Sequence, residues 1–88
     1  MKIKDGFMLR KVGGQSVVVA IGDASKSFNG IIRLNETGGL MWNALSKGCD
    51  ETELLKAVTD EYNVDESTAR ADISAFIEKL KGADLLDL

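Results

Sequence analysis

The 88-residue sequence contains no histidine and a single cysteine, Cys49. A lone cysteine excludes an internal disulfide, and without histidine a Cys/His zinc set cannot be built. The sequence also has no nucleophile elbow and no phosphate-binding loop. No cation lies next to Cys49 in the sequence, so nothing there favours a reactive thiolate. These absences predict a protein without metal or cofactor that is not an enzyme.

Long apolar runs are missing too. No stretch approaches the roughly 20 residues that a membrane-spanning helix needs. The basic start of the chain, residues 1–5, is not followed by the apolar core of a secretory signal. Because 44% of the residues are hydrophobic and 28% are charged, the composition is that of a globular protein. We therefore expect a cytoplasmic protein without membrane contacts, folded as one domain over residues 1–88.

Clusters of positive charge are equally scarce. The net charge is −3, and the largest contiguous basic group is the pair Arg10-Lys11. A nucleic-acid backbone would be attracted only weakly to such a surface. The composition therefore argues against a nucleic-acid partner.

The first third of the chain has the pattern of a sheet. Two strand-like runs, Phe7 to Val12 and Ser16 to Ile21, flank Gly13-Gly14-Gln15, a short connection typical of a β-hairpin. Small polar residues from Gly22 to Ser27 then predict a loop that leads to a third strand near Phe28 to Leu34. The pattern predicts a three-stranded antiparallel sheet.

The third strand runs directly into a helix. Asn35 can accept a backbone N–H as the N-cap, and Glu36 places negative charge at the positive end of the helix. Two glycines in the first turns, Gly38 and Gly39, cost roughly 1 kcal/mol each relative to alanine. Such a cost indicates that another part of the backbone comes close at this point. We expect this first helix to end near Gly48.

Two more helices follow. Asp50 and Glu53 form the pattern of a capping box for a helix ending around Asn63, and Asp65 caps a third, longest helix. Capping thereby accounts for the carboxylates at these helix starts, without any acid/base role. Gly82 is the expected C′ residue of the third helix, after which Leu85 and Leu86 fold back onto the core. The fold class is α+β: an N-terminal three-stranded antiparallel sheet followed by three helices, with a winged helix-turn-helix-like outline.

Several of these segments together resemble the PqqD family, whose members are called RiPP recognition elements. The resemblance is carried by Phe7-x-Leu9-Arg10, by Ile32-x-Leu34-Asn35-Glu36-Thr37-Gly38 with Trp42 four residues later, by Tyr62-x-Val64-Asp65, and by Leu80 leading to Leu85-Leu86. The Leu-Asn-x-Thr-Gly-x-x-x-Trp spacing is the most specific part. We assign Trp42 and Tyr62 themselves to the core, because both lie on amphipathic stripes.

The resemblance implies a peptide chaperone. Family members bind the leader segment of a ribosomally synthesised precursor peptide and present it to a modifying enzyme, commonly a radical SAM enzyme, as in pyrroloquinoline quinone (PQQ) biosynthesis. They generally hold the leader as an added strand beside the third strand, with the third helix as the other wall of the groove. An open sheet edge beside apolar pockets is suited to this mode of binding.

Carried onto this sequence, the resemblance places the peptide-binding edge at Gly30, Ile31, Ile32, Arg33 and Leu34. We expect Ile32 and Leu34 to point inward, and Ile31 and Arg33 to point to the other face. For the wall on the third helix the spacing of three and four residues selects Arg70, Ile73, Ser74 and Ile77. From residue type alone, Arg33 and Arg70 are expected to pair with acidic leader side chains.

Two other functions stay open at this point. A winged-helix DNA-binding regulator would insert its third helix into the major groove, although that helix carries acidic as well as basic side chains. A self-associating module would pair its free edge with a second copy, so we expect a monomer or a weak homodimer.

Overall fold

Five short strands and three helices make up the parts of the chain that the computed structural model describes, residues 1–22 and 32–87. In chain order the elements are β1 (Lys2–Ile3), β2 (Phe7–Val12), β3 (Gln15–Ala20), β4 (Ile32–Leu34), α1 (Glu36–Lys47), α2 (Glu51–Glu61), α3 (Glu66–Gly82) and β5 (Leu86–Asp87). The order confirms the predicted fold class, a three-stranded antiparallel sheet followed by three helices.

The larger sheet has the strand order β2-β3-β4, with both pairings antiparallel. Gly13 and Gly14 connect β2 to β3 and have φ values of 58° and 80°. Positive φ at both central residues matches the right-handed twist of a two-residue hairpin, and glycine adopts it without a steric penalty. The predicted hairpin is confirmed, with Gln15 as the first residue of β3. Most of the predicted loop and the start of the third strand, residues 23–31, lie outside the described residues.

A second, two-stranded sheet was not predicted from the sequence. It pairs β1 with β5 in antiparallel register, with Ile3 opposite Leu86. The Lys4 N–H donates to the Leu85 carbonyl at 2.8 Å, which continues the pairing. Leu85 and Leu86 are buried, as predicted, and Ile3 is buried with them.

Each helix begins at the residue that the sequence indicates. The Asn35 side chain accepts the Gly38 N–H at 2.7 Å, and Asp50 and Glu53 form a reciprocal capping box. Asp65 accepts the Thr68 N–H at 2.7 Å. This backbone hydrogen bond holds the pKa of the Asp65 carboxyl below its ordinary value.

The end of α3 differs from the prediction. Gly82 is the last helical residue, not a C′ residue, and the left-handed conformation falls two residues later, on Asp84, with φ of 60°. Aspartate tolerates this region better than most residues. The Asp84 carboxylate also accepts a hydrogen bond from Lys4 Nζ at 2.6 Å, which ties the turn to the N-terminal segment. This bond raises the pKa of Lys4.

The core lies between the larger sheet and the helices. Its members share near-complete burial, and they include Val18 and Leu34 from the sheet, Trp42 and Leu45 from α1, Leu54 and Val58 from α2, and Ala69, Ile73, Phe76, Ile77 and Leu80 from α3. Trp42 is buried and Tyr62 packs against the core, so the core assignment of both is confirmed. Within residues 1–22 and 32–87, no helix is both long and apolar enough to span a bilayer.

The close approach at the two glycines involves side chains. A Cβ added to Gly38 would lie 3.1 Å from the Leu34 Cβ, and one added to Gly39 would lie 3.5 Å from the Ser16 Oγ. We predicted that another backbone segment comes close here, and this is wrong, because the nearest atoms are side-chain atoms of Leu34 in β4 and Ser16 in β3. The absence of a Cβ lets the helix lie close under the sheet.

Candidate functional site: an open strand edge beside a cleft

The site begins with the position of β4 at the rim of the larger sheet. Its partner β3 covers one side of it, in a register that places Val17 opposite Arg33 and Ser16 opposite Leu34. Within the described residues no strand follows β4 in the sheet order. An outer strand presents backbone N–H and C=O groups that a further strand can pair with. The arrangement can therefore accept an extended chain.

Side chains alternate along this edge as predicted. Leu34 is buried in the core, and Ile32 is half-buried and packs against it. Arg33, between them, is exposed and points to the opposite face. Gly30 and Ile31, the other two predicted edge residues, lie outside the described residues, and their part in binding stays a prediction.

A cleft of about 290 Å³ opens beside β4, between the start of α1 and the side of α3. We call it the β4–α3 cleft. Its apolar lining comes from Leu34, Met41, Ala75 and Phe76, and its polar lining from Arg33, Asn35, Thr37, Asp72 and Lys79, with Gly38 at the helix start. A side chain that projects inward from a strand added to β4 would meet this cleft. Geometry thus joins a backbone edge to a side-chain pocket, the combination that fixes both affinity and specificity in strand addition.

Comparison with known proteins identifies this arrangement. The profile of the family "Coenzyme PQQ synthesis protein D (PqqD)" matches residues 15–86, which include β3, β4, all three helices and β5. The chain belongs to the PqqD family. The matched range includes the Leu34-to-Trp42 motif of the sequence, and Leu34, Asn35, Thr37 and Gly38 of this motif line the β4–α3 cleft.

Two solved structures share the PqqD-like fold. TbiB1 in complex with the TbiA(beta) leader peptide has a TM-score of 0.77 at 25% identity, over 99% of this chain and 95% of that chain. Lasso peptide synthetase B1 complexed with the leader peptide has a TM-score of 0.72 at 22% identity, over 92% and 89%. Among curated proteins, no sequence is similar enough to count as a match. The overall fold of the chain is therefore shared with both of these structures.

The flank of α3 that lines the cleft differs from the flank that the sequence suggested. Ile73 and Ile77 are 3% and 4% exposed and belong to the core, while Arg70 and Ser74 are exposed and do not line the cleft. The lining residues of α3 are instead Asp72, Ala75, Phe76 and Lys79. They follow the same spacing of three and four residues, displaced around the helix. Contact of a peptide with the set predicted from the sequence stays a prediction.

Periodicity alone could not separate these two flanks. The apolar stripe of α3 includes both Ile73 and Phe76, so either edge of the stripe could border a groove. One signal was present in the sequence: Phe76 has the small Ala75 beside it, and the charged Asp72 and Lys79 one turn away on either side. Ile73 has similar neighbours in Arg70, Asp72 and Ser74, so this pattern does not by itself select the flank.

The two predicted arginines are in different electrostatic situations. Arg70 already pairs with Glu66, one turn away on α3, at 2.7 Å between Nη2 and Oε1. Both side chains are exposed, so the pair contributes little to stability. Arg33 forms no ion pair within residues 1–22 and 32–87 and lies at the mouth of the cleft. Of the two, Arg33 is therefore the one available to a ligand carboxylate.

Acidic side chains and the Cys49 thiol are the metal-ligating groups to consider among the described residues, which contain no histidine. No group of three or more histidine, cysteine or acidic side chains there could hold a metal ion. Cys49 is half-buried outside the cleft, and its burial raises the pKa of the thiol, with the charge of Glu53 raising it further. A thiol with a raised pKa is a poor nucleophile near neutral pH. The open edge of β4 and the β4–α3 cleft remain the features of this region that suit an extended chain.

Proposed function

We propose that the protein binds the leader segment of a ribosomally synthesised precursor peptide as a fourth strand along β4 and presents the rest of the peptide to a modifying enzyme. One observation carries the proposal: the open edge of β4 lies directly beside the β4–α3 cleft. Membership of the PqqD family supports it, since the family is named for PQQ synthesis. So does the fold shared with TbiB1 and lasso peptide synthetase B1, each complexed with a leader peptide.

The cleft suggests which leader residues bind. In an added strand every second side chain points toward the core, so one of them enters the cleft and lies against Leu34, Met41 and Phe76. That residue is expected to be bulky and apolar, because the buried side chains of the lining, Leu34, Met41 and Phe76, are all apolar. The mouth carries Arg33 and Lys79 against the single acid Asp72, which favours an acidic neighbour in the leader.

The predicted edge extends beyond β4. Gly30 and Ile31 precede it in sequence, and we include them in the proposed peptide-binding edge because a leader strand longer than β4 would continue along them. From α3 we propose the flank of Asp72, Ala75, Phe76 and Lys79 as the contacting wall. Ile73 and Ile77 then support that wall from the core, and Ser74 and Arg70 lie to its side.

The same proposal covers the partner and the absence of catalysis. The chain acts as a non-catalytic adaptor, and the covalent change is made by a radical SAM or other peptide-modifying enzyme. PQQ is one product to which such a modification could lead, in keeping with the name of the family. A DNA-binding role has no support from the comparisons, and the flank of α3 at the cleft has both an acid and a base.

The proposal is tested by titrating the leader peptide of the precursor encoded beside this gene into isotope-labelled protein. We expect saturable amide shifts in residues 32–34 and along the cleft side of α3. No saturable shift in either segment would contradict strand addition. Two leader peptides N-methylated at adjacent positions provide a sharper test. Because N–H groups alternate between the two sides of a strand, only the methyl group that faces β4 should abolish binding.

A pair of variants distinguishes the two flanks of α3. Ala75→Trp fills the β4–α3 cleft from an exposed position, and Ser74→Trp adds the same side chain on the neighbouring flank. We expect Ala75→Trp to weaken leader binding about tenfold or more, or ~1.4 kcal/mol, and Ser74→Trp to leave it nearly unchanged. The reverse result would favour the flank suggested by the sequence pattern.

A further inference from the structure

The outer face of the larger sheet has the character of a second interaction surface. Residues directly opposite each other in neighbouring strands share a face, so the registers Met8 with Val19, Arg10 with Val17, and Val17 with Arg33 define one surface. The helices pack on the other face, where Val18 and Leu34 join the core. We call the surface that carries Met8, Arg10, Val12, Val19 and Arg33 around Val17, which is buried at 7% exposure, the outer sheet face.

This face carries most of the exposed apolar side chains of the described residues. Within that part of the chain four large hydrophobic side chains are exposed: Met8 at 38%, Val12 at 62%, Ile21 at 44% and Val64 at 38%. The first two lie on the outer sheet face, and Ile21 follows β3 directly with the same alternation. Exposed apolar side chains gathered on one face, with charged side chains among them, are typical of protein-interaction surfaces.

Charge is divided unevenly between this sheet and the helices. Residues 1–35 contain six basic and two acidic side chains, whereas residues 36–88 contain five basic and twelve acidic ones. Within residues 6–22 and 32–35 there is no acid, while Arg10 and Arg33 are exposed on the outer sheet face and Lys11 is exposed on the other face. A partner with acidic side chains is therefore attracted to the outer sheet face, and a basic partner is attracted to the helices.

We propose that the outer sheet face is the docking surface for the peptide-modifying enzyme, which presents to it an amphipathic segment bearing acidic side chains. The proposal rests on the proposed function, because it assigns the second partner of the same adaptor. Apolar side chains of the segment cover Met8, Val12 and Val19, and its carboxylates pair with Arg10, which leaves Arg33 to the leader.

Two other occupants fit this face less well. Electrostatic binding to an anionic membrane generally uses clusters of about four to eight basic residues, and this sheet offers three. A second copy that docked face to face would bring Arg10 and Arg33 against their own counterparts, which is repulsive. An acidic protein segment satisfies both the charge and the apolar side chains.

The leader and the enzyme would then share a surface. A leader strand added to β4 widens the sheet next to Arg33, and every second leader side chain projects onto the outer sheet face. An enzyme docked on that face contacts the protein and the leader at once. Each ligand therefore strengthens binding of the other, and the two couplings are equal by linkage.

The test uses the full chain, the modifying enzyme encoded beside its gene as the probe, and the leader peptide as a separate ligand. Met8→Glu and Arg10→Glu alter the outer sheet face. Val64→Glu and Lys56→Glu are the matched controls, since Val64 has the same 38% exposure as Met8 and Lys56 is an exposed cation on α2. Circular dichroism and urea unfolding verify that each variant is folded before its affinities are compared.

We expect Met8→Glu and Arg10→Glu to weaken enzyme binding about tenfold or more and to change leader affinity by less than about twofold. The control variants should change neither, and saturating leader should tighten enzyme binding to the unaltered protein. Enzyme binding that is unaffected by both outer-face variants, or that is lost in Val64→Glu or Lys56→Glu, would overturn the proposal.

Two further measurements exclude the other occupants. If the protein co-sediments with anionic phosphatidylserine vesicles and Met8→Glu abolishes this binding, the outer sheet face binds a membrane instead. If the protein alone shows concentration-dependent sedimentation that Met8→Glu abolishes, the face binds a second copy. Failure of the leader titration in the unaltered protein would count against the proposed function instead, because enzyme binding is measured separately from it.

Discussion

The two outer strands of the larger sheet, β2 and β4, differ in what lies beside them. β2 is six residues long and four of these are exposed, whereas β4 is three residues long and adjoins the β4–α3 cleft. A backbone edge alone gives a partner strand no preferred register, because its N–H and C=O groups repeat along the chain. Beside β4, we expect the cleft to fix the register of an added strand, because one side chain of that strand would have to enter it. The exposed Arg10 and Lys11 on β2 oppose pairing with a second copy of that strand.

The largest expected effect comes from removing the side chain that joins β4 to the cleft. Leu34→Ala should lower the free energy of unfolding by ~2–5 kcal/mol, because Leu34 is buried in the core and its loss leaves a cavity. The matching change in β2, Leu9→Ala, removes a half-buried side chain and should cost roughly 1–2 kcal/mol. Urea unfolding of both variants measures the difference. Equal losses in the free energy of unfolding would mean that Leu34 and Leu9 contribute equally to the packing of β4 and β2.

Reversing the charge of one arginine in β4 or in β2 compares how much each strand contributes to leader affinity. Arg33→Glu places an acid at the mouth of the cleft and should weaken leader binding about fivefold to tenfold, or ~1 kcal/mol. Arg10→Glu makes the same change two strands away, on the same face, and should leave leader affinity within about twofold of the unaltered protein. Calorimetric titration at two salt concentrations provides the measurement. A comparable loss of leader affinity in both variants would show that leader binding depends on the overall charge of the sheet and not on the position of Arg33.

The two glycines of α1 provide a subtler comparison, because Gly38 lies under β4 and Gly39 lies near Ser16 of β3 and Leu9 of β2. Gly39→Ala should stabilise the protein by about 0.5–1 kcal/mol through helix propensity, since its Cβ meets only ordinary contacts. Gly38→Ala should gain less, because Leu34 and the Asn35 side chain must move, and it should weaken leader binding by narrowing the cleft. Thermal unfolding and leader titration of the two variants decide the point. Equal stability and equal leader affinity of Gly38→Ala and Gly39→Ala would contradict this prediction.

The smallest effect concerns the start of α3, the helix that forms the far wall of the cleft. The folded-state pKa of Asp65 lies below its ordinary value of 3.8, so the cap contributes stability above about pH 4 that is lost as the pH falls through the folded value. The asparagine introduced by Asp65→Asn would cap the helix without titrating, so the stability of this variant should depend less on pH in the acidic range. Unfolding curves measured at acidic pH values test the expectation. Parallel pH dependence for the two proteins would refute it.

Local signals were sufficient for most of the fold. The hairpin was predictable because Gly13 and Gly14 fix the turn within two residues, and the helix starts were predictable because Asn35, Asp50 and Asp65 cap through bonds three residues away. The family motif was equally local. Each of these features depends on neighbours in the sequence, so the sequence alone could specify it.

Features that depend on distant partners were missed. The two-residue strands β1 and β5 are too short for a periodic pattern, and they pair across almost the whole chain. Asp84, which ends α3, is held by Lys4 from the other end of the sequence. The flank of α3 that lines the cleft could not be selected from the sequence for the same reason, because the stripe around Phe76 does not reveal which of its edges faces β4. Tertiary packing makes that choice.

The pairing of β1 with β5 has a practical consequence for building on this domain. Residues 2–3 and 86–87 lie side by side as antiparallel neighbours, so a cargo attached before the first strand or after the last one departs from the same region of the surface. A reporter or enzyme can therefore be joined in either order without a large change in its starting position relative to the adaptor. In a circularly permuted version of the domain, a short bridge would be enough to link Lys2 to Asp87.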